Sequence, residues 1–349
     1  MAEVRPDFLV VGMAGLLRNY PEMIAQALHE QGFRCECYTI PFLPAGSFTP
    51  SLLRKLKAEL RKASPGTTTI YCSGLSEYYL ADADISIHFS AYRRWFNPQR
   101  MRIIAHPWTS AEPASIDDLQ WLDKPPLTVG FMGSAYGNSR LGQLAGKSAF
   151  KNWILSGHHL RAPAVLAALN AARVPFKGAM TFPRAETLRL LESYSAESPM
   201  SVRIVDTGGF TGSLEQVAQY EQHMRGLTYV LCPRGIENFS FRFYEALKFG
   251  RVPVLIDTEM VLPDEVNWDE LIVRVPYPEL SNIGDIIAHD YRRHSAASFR
   301  RRQEKAFEAM AKLCSGAWAT GLVRDVRLRQ LEKHQLSSEC PRRHSRAAA

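Results

Sequence analysis

Short apolar runs alternate with amphipathic stretches along most of the chain, and this alternation constrains the fold more than any other feature of the sequence. Apolar runs of strand length separated by helical patterns are typical of a parallel sheet covered on both faces. A first series predicts strands at 8–12, 34–40, 68–72, 85–90 and 102–105, with helices at 22–31 and 51–62. A second series predicts strands at 128–132, 202–206, 227–232, 252–256 and 271–275, with helices at 164–173, 214–224, 239–249, 283–291 and 297–312.

A proline-containing segment at 110–126 separates the two series and marks the expected domain boundary. With 349 residues, the chain is long enough for two domains that each bury a sheet between helices. We predict Rossmann-like domains over 1–122 and 123–332, followed by a disordered basic tail over 333–349. The last helix could cross back to brace both domains. Because open α/β sheets bind ligands beyond the carboxyl ends of their strands, we expect the functional site in the cleft between the domains.

The composition is that of an ordinary globular protein, with 46% hydrophobic and 22% charged residues. No stretch approaches the roughly 18 to 20 consecutive apolar residues that a membrane helix requires, so no membrane span is predicted. The amino terminus does not resemble a secretory signal, so we expect a cytoplasmic protein. The six cysteines lack paired CxxC spacing, and we therefore expect neither a disulfide framework nor a zinc site.

The chain carries a net charge of +7, which favours anionic partners. Much of the excess positive charge lies in the last helix and the tail, where a solvated face is the ordinary interpretation. Phosphate-bearing small molecules satisfy this charge as well as nucleic acid does, and we predict no nucleic-acid partner. The sequence leaves open whether the chain forms a homo-oligomer.

The segment 228–256 carries the most specific pattern in the chain, namely a buried strand, a polar turn, a helix and a second buried strand. Gly235 in the turn allows the backbone to approach a ligand closely or to take a positive φ. Asn238 or Ser240 could cap the helix, whose first amides and positive dipole end suit a diphosphate. Gly250 is placed to end the helix in a left-handed cap.

Two arginines in this segment supply positive charge for such an anion. The guanidinium groups of Arg234 and Arg242 match the geometry of phosphate oxygens, so the predicted diphosphate site needs no metal ion. Glu245 lies one turn after Arg242 on the same helical face and could accept both hydroxyls of a ribose. The alternative is a plain crossover helix on which Arg242 and Glu245 merely form an exposed ion pair.

Several short motifs in and around this segment are found together in a known family. They are Pro-Arg-Gly at 233–235, Ser-Phe-Arg-Phe at 240–243, Glu-Ala-Leu at 245–247, Val-Pro-Val-Leu at 252–255, Val-Gly-Phe-Met-Gly-Ser at 129–134 with Arg140, Val-Leu-Pro at 261–263 and Asn-Trp at 267–268. Together they resemble the signature of the exostosin family of glycosyltransferases over roughly 126–311.

The resemblance implies a GT-B fold, in which two doubly wound Rossmann-like α/β domains face a central cleft and the N-terminal domain holds the acceptor. It implies a hexosyl- or glycuronosyltransferase of polysaccharide biosynthesis that moves a sugar from a nucleotide diphosphate-sugar, expected to be UDP-linked, to a glycan or other hydroxyl acceptor without a cofactor. We expect a soluble member with a single activity. The residues expected to bind the donor are Gly133, Arg140, Arg234, Gly235, Glu237, Ser240, Phe241, Arg242 and Glu245.

Stereochemistry and activity stay open at this point. The resemblance implies inversion at the anomeric carbon, whereas the spacing from Glu237 to Glu245 equals that of a two-glutamate motif in retaining GT-B enzymes. A non-catalytic subunit that holds the nucleotide sugar or glycan for a partner is the alternative to an active transferase. A nucleotide-sugar epimerase or dehydrogenase is a third interpretation, which predicts bound nicotinamide.

An inverting transfer needs a base that accepts the proton of the acceptor hydroxyl, and we expect it at the carboxyl ends of the N-terminal strands. His106 is the first candidate because the nearby Trp108 offers an aromatic plane to a sugar ring, and Glu77 is the second. His88 is a further candidate, although a histidine packed at a strand end is the alternative for both histidines. Gly12 could let the backbone approach a ligand, and a tight turn also explains it.

Three other motifs carry less weight. Asp82 and Asp84 form a DxD pattern, but it precedes an apolar run instead of following one, so we do not expect it to bind a metal. The glycines at 12 and 15 form an incomplete dinucleotide fingerprint. The pair His158 and His159 lacks further ligands at zinc spacing.

Overall fold

The computed structural model describes residues 6–13, 19–41, 50–72, 82–105, 120–134, 176–196, 198–208, 213–235, 238–314, 321–322 and 324. The helices and strands of the N-terminal half are β1 Phe8–Met13, α1 Tyr20–Glu30, β2 Cys35–Ile40, α2 Pro50–Leu60, β3 Thr68–Cys72, β4 Ile85–His88 and β5 Met101–Ile103. A short 3-10 helix at Arg93–Trp95 lies between β4 and β5.

The N-terminal strands form a parallel sheet in the order β2-β1-β3-β4-β5. Successive residues of a strand point to opposite faces. Phe8 and Val10 of β1 accordingly pack in one apolar cluster with Ile24 of α1. The next residue, Val11, packs in a second cluster with Leu56 of α2. Both faces of the sheet are therefore covered, as the apolar runs predict.

The C-terminal half repeats this plan. Its helices and strands are β6 Thr128–Gly133, α3 Phe176–Ser195, β7 Ser201–Asp206, α4 Leu214–Arg225, β8 Tyr229–Cys232, α5 Phe241–Lys248, β9 Val252–Asp257, β10 Val273–Pro276, α6 Ile283–Arg293 and α7 Ala296–Cys314. The strands form a second parallel sheet in the order β10-β9-β8-β6-β7. Counted from its own first strand, each sheet has the order 2-1-3-4-5, so the direction of winding reverses next to that first strand.

The two halves touch along a short pairing in which Tyr92 forms an antiparallel bridge with Met260. The chain also returns to the N-terminal half after α7, because Leu322 packs in the same cluster as Phe8. Helix α7 itself packs against α5 in the core of the C-terminal half. The described return to the N-terminal half thus follows α7. That the last helix braces both domains stays a prediction.

The predicted strands are all present, with ends within a few residues of the expected ones. The main difference is α3, which the sequence pattern does not predict because Pro183 lies inside it. Strand β10 begins later than predicted because Trp268–Glu270 forms a 3-10 turn just before it. The predicted helix at 164–173 and the tail at 333–349 lie outside the described residues. Among the helices that the structure describes, none combines the length and the hydropathy needed to cross a bilayer.

Candidate anion-binding site

The winding of the second sheet reverses between β6 and β8, which pair directly. Strand β6 also pairs with β7, and β8 with β9, so the strand order changes direction between β6 and β8. At such a reversal α/β sheets bind ligands in a crevice beyond the carboxyl ends of the strands. Gly133 and Ser134 lie at the end of β6, and Arg234 follows the end of β8.

Arg242, in the first turn of α5, reaches across to the end of β6. Its Nε donates a hydrogen bond of 2.7 Å to the carbonyl of Met132, and its guanidinium lies 4.2 Å from the centre of the Phe131 ring. Gly133 has a φ of +150°, and a β-carbon there would lie 1.7 Å from Nη2 of Arg242. Only glycine therefore leaves room for this guanidinium. This fit explains the glycine at position 133, whereas its predicted role in donor binding stays a prediction.

Arg184 is a second arginine at the carboxyl ends of these strands, and it was not among the residues predicted from the sequence. Its Nη1 donates to the carbonyl of Ser134 at 2.8 Å, and its Nη2 to the carbonyl of Arg234 at 3.4 Å. Its Nε is buried and has no hydrogen-bond partner among the described residues. Arg184 lies on α3 directly after Pro183. Because this proline argues against a helix in the sequence, neither the helix nor its site residue was predicted.

Arg234 is the third member of what we call the arginine cluster, formed by Arg184, Arg234 and Arg242. It is only 2% exposed, and its Nη1 donates a hydrogen bond of 2.5 Å to the hydroxyl of Tyr92 from the N-terminal half. The turn that carries it is closed by the amide of Gly235, which donates to the carbonyl of Phe239 at 2.9 Å. Gly235 has no positive φ, so that part of the prediction is wrong, and its close approach to a ligand stays a prediction.

Two members of the arginine cluster, Arg184 and Arg242, carry positive charge that no described carboxylate neutralises. Among the described residues, neither Arg184 nor Arg242 forms an ion pair. Burial, followed by the charges of Arg242 and Arg234, lowers the pKa of Arg184 to about 9. Burial also lowers the pKa of Arg242. Because desolvated like charges are unfavourable without a counterion, the geometry favours a bound anion with several oxygen atoms.

The predicted helix cap is wrong. Ser240 stands at the N-cap position of α5, but its hydroxyl makes no capping bond and its Oγ is buried without a partner among the described residues. The amide of Asn238 instead donates to the carbonyls of Ala91 and Thr258, at 3.4 and 3.2 Å. The side chain of Asn238 therefore bonds to residues distant in the sequence and does not cap the helix, and the role of Ser240 in donor binding stays a prediction.

Glu245 and Phe241 lie on the same short helix. Glu245 is 0% exposed and forms no ion pair with Arg242, so the alternative of an exposed Arg242–Glu245 pair is wrong. The role of Glu245 as a ribose ligand stays a prediction that requires a ligand to reach a fully enclosed carboxylate. Phe241 packs edge-on against Phe239 with their ring centres 4.9 Å apart.

The remaining site candidates stay predictions or are assigned other roles. Glu77, His106, Arg140 and Glu237 lie outside the described residues, as do His158 and His159. His88, at the end of β4, is fully buried and lies edge-on to Tyr71 with their ring centres 6.5 Å apart. A β-carbon on Gly12 would lie 2.3 Å from the carbonyl oxygen of Cys72, so close strand packing explains this glycine.

Both carboxylates of the DxD pattern bind side chains or backbone of the N-terminal half. Asp82 forms ion pairs with Lys57 and Arg61 on α2, at 3.0 and 3.3 Å. Asp84 accepts hydrogen bonds from the amide and the hydroxyl of Thr69, at 3.0 and 2.9 Å. In the part of the chain that the structure describes, no group of three or more potential metal ligands occurs.

Two five-stranded parallel sheets, with an arginine cluster where the second one reverses its winding, define the chain as an α/β protein with two doubly wound halves. Residues 176–289 match the exostosin GT47 domain. The matched region covers about a third of the chain, and all three members of the arginine cluster lie within it. This match confirms the resemblance found in the sequence.

Sequence relatives match over a limited region. The chain is 36% identical over 80 residues to a probable glucuronosyltransferase of Oryza sativa subsp. japonica, covering 22% of this chain and 18% of that protein. It is 37% identical over 79 residues to a probable β-1,4-xylosyltransferase of Arabidopsis thaliana, covering 21% and 19%. It is 37% identical over 70 residues to exostosin-1 of Drosophila melanogaster, covering 20% and 9%. The aligned regions thus span less than a fifth of each relative.

Solved structures are similar at low sequence identity. An α-glucosyltransferase in complex with UDP and a 13-mer DNA matches with a TM-score of 0.40 and 11% identity, covering 93% of this chain and 99% of that one. An O-GlcNAc transferase mutant of Thermobaculum terrenum matches with a TM-score of 0.42 and 13% identity, covering 95% and 69%.

Proposed function

We propose that this chain is a glycosyltransferase that moves a sugar from a nucleotide diphosphate-sugar to a hydroxyl group of a glycan or other acceptor. The observation that carries the proposal is the arginine cluster, whose members Arg184 and Arg242 have no ion-pair partner among the described residues. The relatives named as glucuronosyl- and xylosyltransferases are consistent with a sugar donor of the hexosyl or glycuronosyl type.

The chemistry explains why positive charge is needed at this position. Transfer breaks the bond between the anomeric carbon and a phosphate oxygen, so negative charge grows on the departing nucleoside diphosphate. Donors that are fixed before the reaction stabilise such charge more strongly than mobile water does. Within the described structure, both Nη groups of Arg242 lack hydrogen bonds, whereas its Nε is fixed by Met132. The side chain is therefore held in place with its fork left for phosphate oxygens.

We assign three finer properties as part of the same proposal. The donor is UDP-linked, the guanidinium groups take the place of a metal ion at the diphosphate, and the anomeric carbon is inverted. His106, or Glu77 in its place, acts as the base that accepts the proton of the acceptor hydroxyl. These two side chains lie outside the described residues, so their roles rest on the sequence alone. A cytoplasmic location stays a prediction.

Release of UDP from a panel of UDP-sugars, with and without saccharide acceptors, tests the proposal on the purified chain. We expect turnover by the wild type and its loss in Arg242→Ala. Arg189→Ala serves as the matched control, because Arg189 is an exposed arginine on α3. Tight UDP binding without any turnover would instead support a non-catalytic binding subunit. Absorbance from bound nicotinamide in the purified protein would support an epimerase or dehydrogenase.

A further inference from the structure

A short segment of the N-terminal half, Ala91 to Arg94, pairs with the chain that follows β9 in the C-terminal half. The amide of Arg93 donates to the carbonyl of Glu259 at 2.9 Å, and the amide of Val261 donates to the carbonyl of Ala91 at 3.0 Å. These bonds flank the bridge between Tyr92 and Met260. The backbone at Tyr92 is thus fixed relative to the second sheet.

Side chains reinforce this pairing. Asp257, at the end of β9, has a side chain only 4% exposed and accepts from Nη1 of Arg93 at 2.9 Å and from Nη1 of Arg274 at 2.7 Å. The same carboxylate accepts from the amide of Glu259 at 2.9 Å, where the backbone has a φ of 69°. Arg94 in turn pairs with the carboxylate of Glu259. The contact between the halves is therefore ordered by charge as well as by backbone bonds.

Tyr92 is the residue of this segment that reaches the arginine cluster. It is 1% exposed, and its hydroxyl accepts the hydrogen bond of 2.5 Å from Nη1 of Arg234. The guanidinium carbon of Arg234 lies 5.6 Å from the centre of the Tyr92 ring. The carbonyl of Arg234 also accepts from Arg184. A continuous path of contacts therefore leads from the N-terminal half into the anion site.

The phenol group of Tyr92 suits the task of orienting Arg234. A phenol hydroxyl accepts a hydrogen bond from the guanidinium and orients it without adding a negative charge, unlike a carboxylate. A phenol also presents a ring face that attracts the cation. Tyr92 therefore holds Arg234 by a hydrogen bond and a ring contact and brings no negative charge of its own.

We infer that Tyr92 is a positioning residue for phosphate recognition, which fixes Arg234 in the anion site across the contact between the two halves. The inference rests on the proposed function, because it assumes that the arginine cluster binds the diphosphate of the donor. It adds a residue from outside the exostosin GT47 match to the donor site. It also means that the site is complete only while the 91–94 segment remains paired with the second sheet.

Calorimetric titration with UDP and with uridine, run in parallel, tests this inference. Tyr92→Phe keeps the ring and removes the hydroxyl, so we expect UDP binding to weaken by about tenfold while uridine binding is unchanged. In an Arg234→Gln background the same substitution should have no further effect, because its influence passes through Arg234. Tyr244→Phe is the matched control, since the Tyr244 hydroxyl is buried in the C-terminal half without a partner among the described residues.

Melting temperatures of all variants establish that they are folded. If Tyr92→Phe does not fold, Arg234→Lys, which keeps the charge but lacks the fork that reaches Tyr92, provides the same readout and should also weaken UDP binding. Equal weakening for UDP and uridine, or full additivity with Arg234→Gln, would overturn the inference and leave Tyr92 a packing residue. Unchanged UDP binding in Tyr92→Phe would overturn the inference alone. A wild-type chain that binds no UDP would overturn the proposed function as well.

Discussion

Gly133 and Arg242 fit together so closely that a β-carbon on the glycine would lie 1.7 Å from Nη2 of the arginine. The glycine has a φ of +150°, which an L side chain rarely adopts. Strand β6 therefore ends in the one residue that permits the arginine of α5 to cross its carboxyl end. The position of the guanidinium is set by the backbone of the sheet and not by a surface loop.

Replacing Gly133 by alanine should displace Arg242 and weaken UDP binding by at least about tenfold, because the added carbon occupies the place of the guanidinium. Titration with UDP measures the effect. Gly208→Ala is the matched control, since Gly208 also has a positive φ but would meet nothing within 4 Å. The control should lose about 1 kcal/mol of stability and keep its UDP affinity. Equal UDP affinities in the two variants would contradict the proposed role of Gly133.

Replacing Arg184 by methionine should separate ligand affinity from stability. Loss of the hydrogen bonds to Ser134 and Arg234 is offset by removal of a desolvated charge from a cluster of like charges. We therefore expect the free energy of unfolding without ligand to change by less than about 1 kcal/mol, while UDP binding weakens at least about tenfold. Denaturant titration and calorimetry measure the two quantities. A large loss of stability together with unchanged UDP affinity would assign Arg184 a structural role only.

His223 should make the protein less stable in mild acid. Burial, followed by the charges of Arg203 and Arg242, lowers its pKa to about 4 in the folded protein, compared with an ordinary value of 6.5. Between these values the unfolded chain binds a proton that the folded chain does not, so stability falls as the pH falls from about 6.5 to about 4.

Denaturant unfolding at pH 7 and pH 5 checks this expectation. His223→Gln should show a smaller loss of stability between the two pH values than the wild type does. His289→Gln is the control, because His289 is an exposed histidine on α6. The same pH dependence in His223→Gln and in the wild type would show that another group is responsible.

Asp290 should contribute strongly to the stability of the C-terminal half. Its Oδ2 accepts from the hydroxyl of Tyr229 and from Nη1 of the buried Arg302, both at 2.8 Å. Asp290→Asn leaves the guanidinium of Arg302 buried without its counterion, and we expect a loss of about 3 to 5 kcal/mol in the free energy of unfolding. Glu270→Gln, which breaks the exposed pair with Lys305, should lose less than about 1 kcal/mol. Similar losses in both variants would show that burial does not distinguish the two pairs.

Much of the fold could be predicted because apolar runs of strand length are a local signal. The strand–turn–helix–strand unit around Arg234 and Arg242 is present, as its sequence pattern predicts. Helix α3 could not be predicted in this way, because Pro183 lies inside it and contradicts the local preference for a helix. Arg184 on this helix donates hydrogen bonds to the carbonyls of Ser134 and Arg234, which lie 50 positions before and after it in the sequence.

Within the site, the sequence-based predictions also fail where a contact joins residues that are distant in the sequence. Asn238 follows the local rule for a helix cap, but the carbonyls of Ala91 and Thr258 take its amide. Tyr92 lies 142 positions before Arg234, and no local pattern links the two residues. Local preference therefore predicts the elements, whereas the contacts that complete the site depend on how the two halves meet. The roles of His106, Glu77, Arg140 and Glu237 stay predictions.

Calorimetric titration of the wild type, Arg242→Lys and Arg184→Met with UDP and uridine tests most directly whether the arginine cluster holds a diphosphate. We expect the wild type to bind UDP at least about a hundredfold more tightly than uridine, and both variants to lose most of this difference. Equal affinity of the wild type for UDP and uridine, or variants that keep the full preference for UDP, would contradict the assignment.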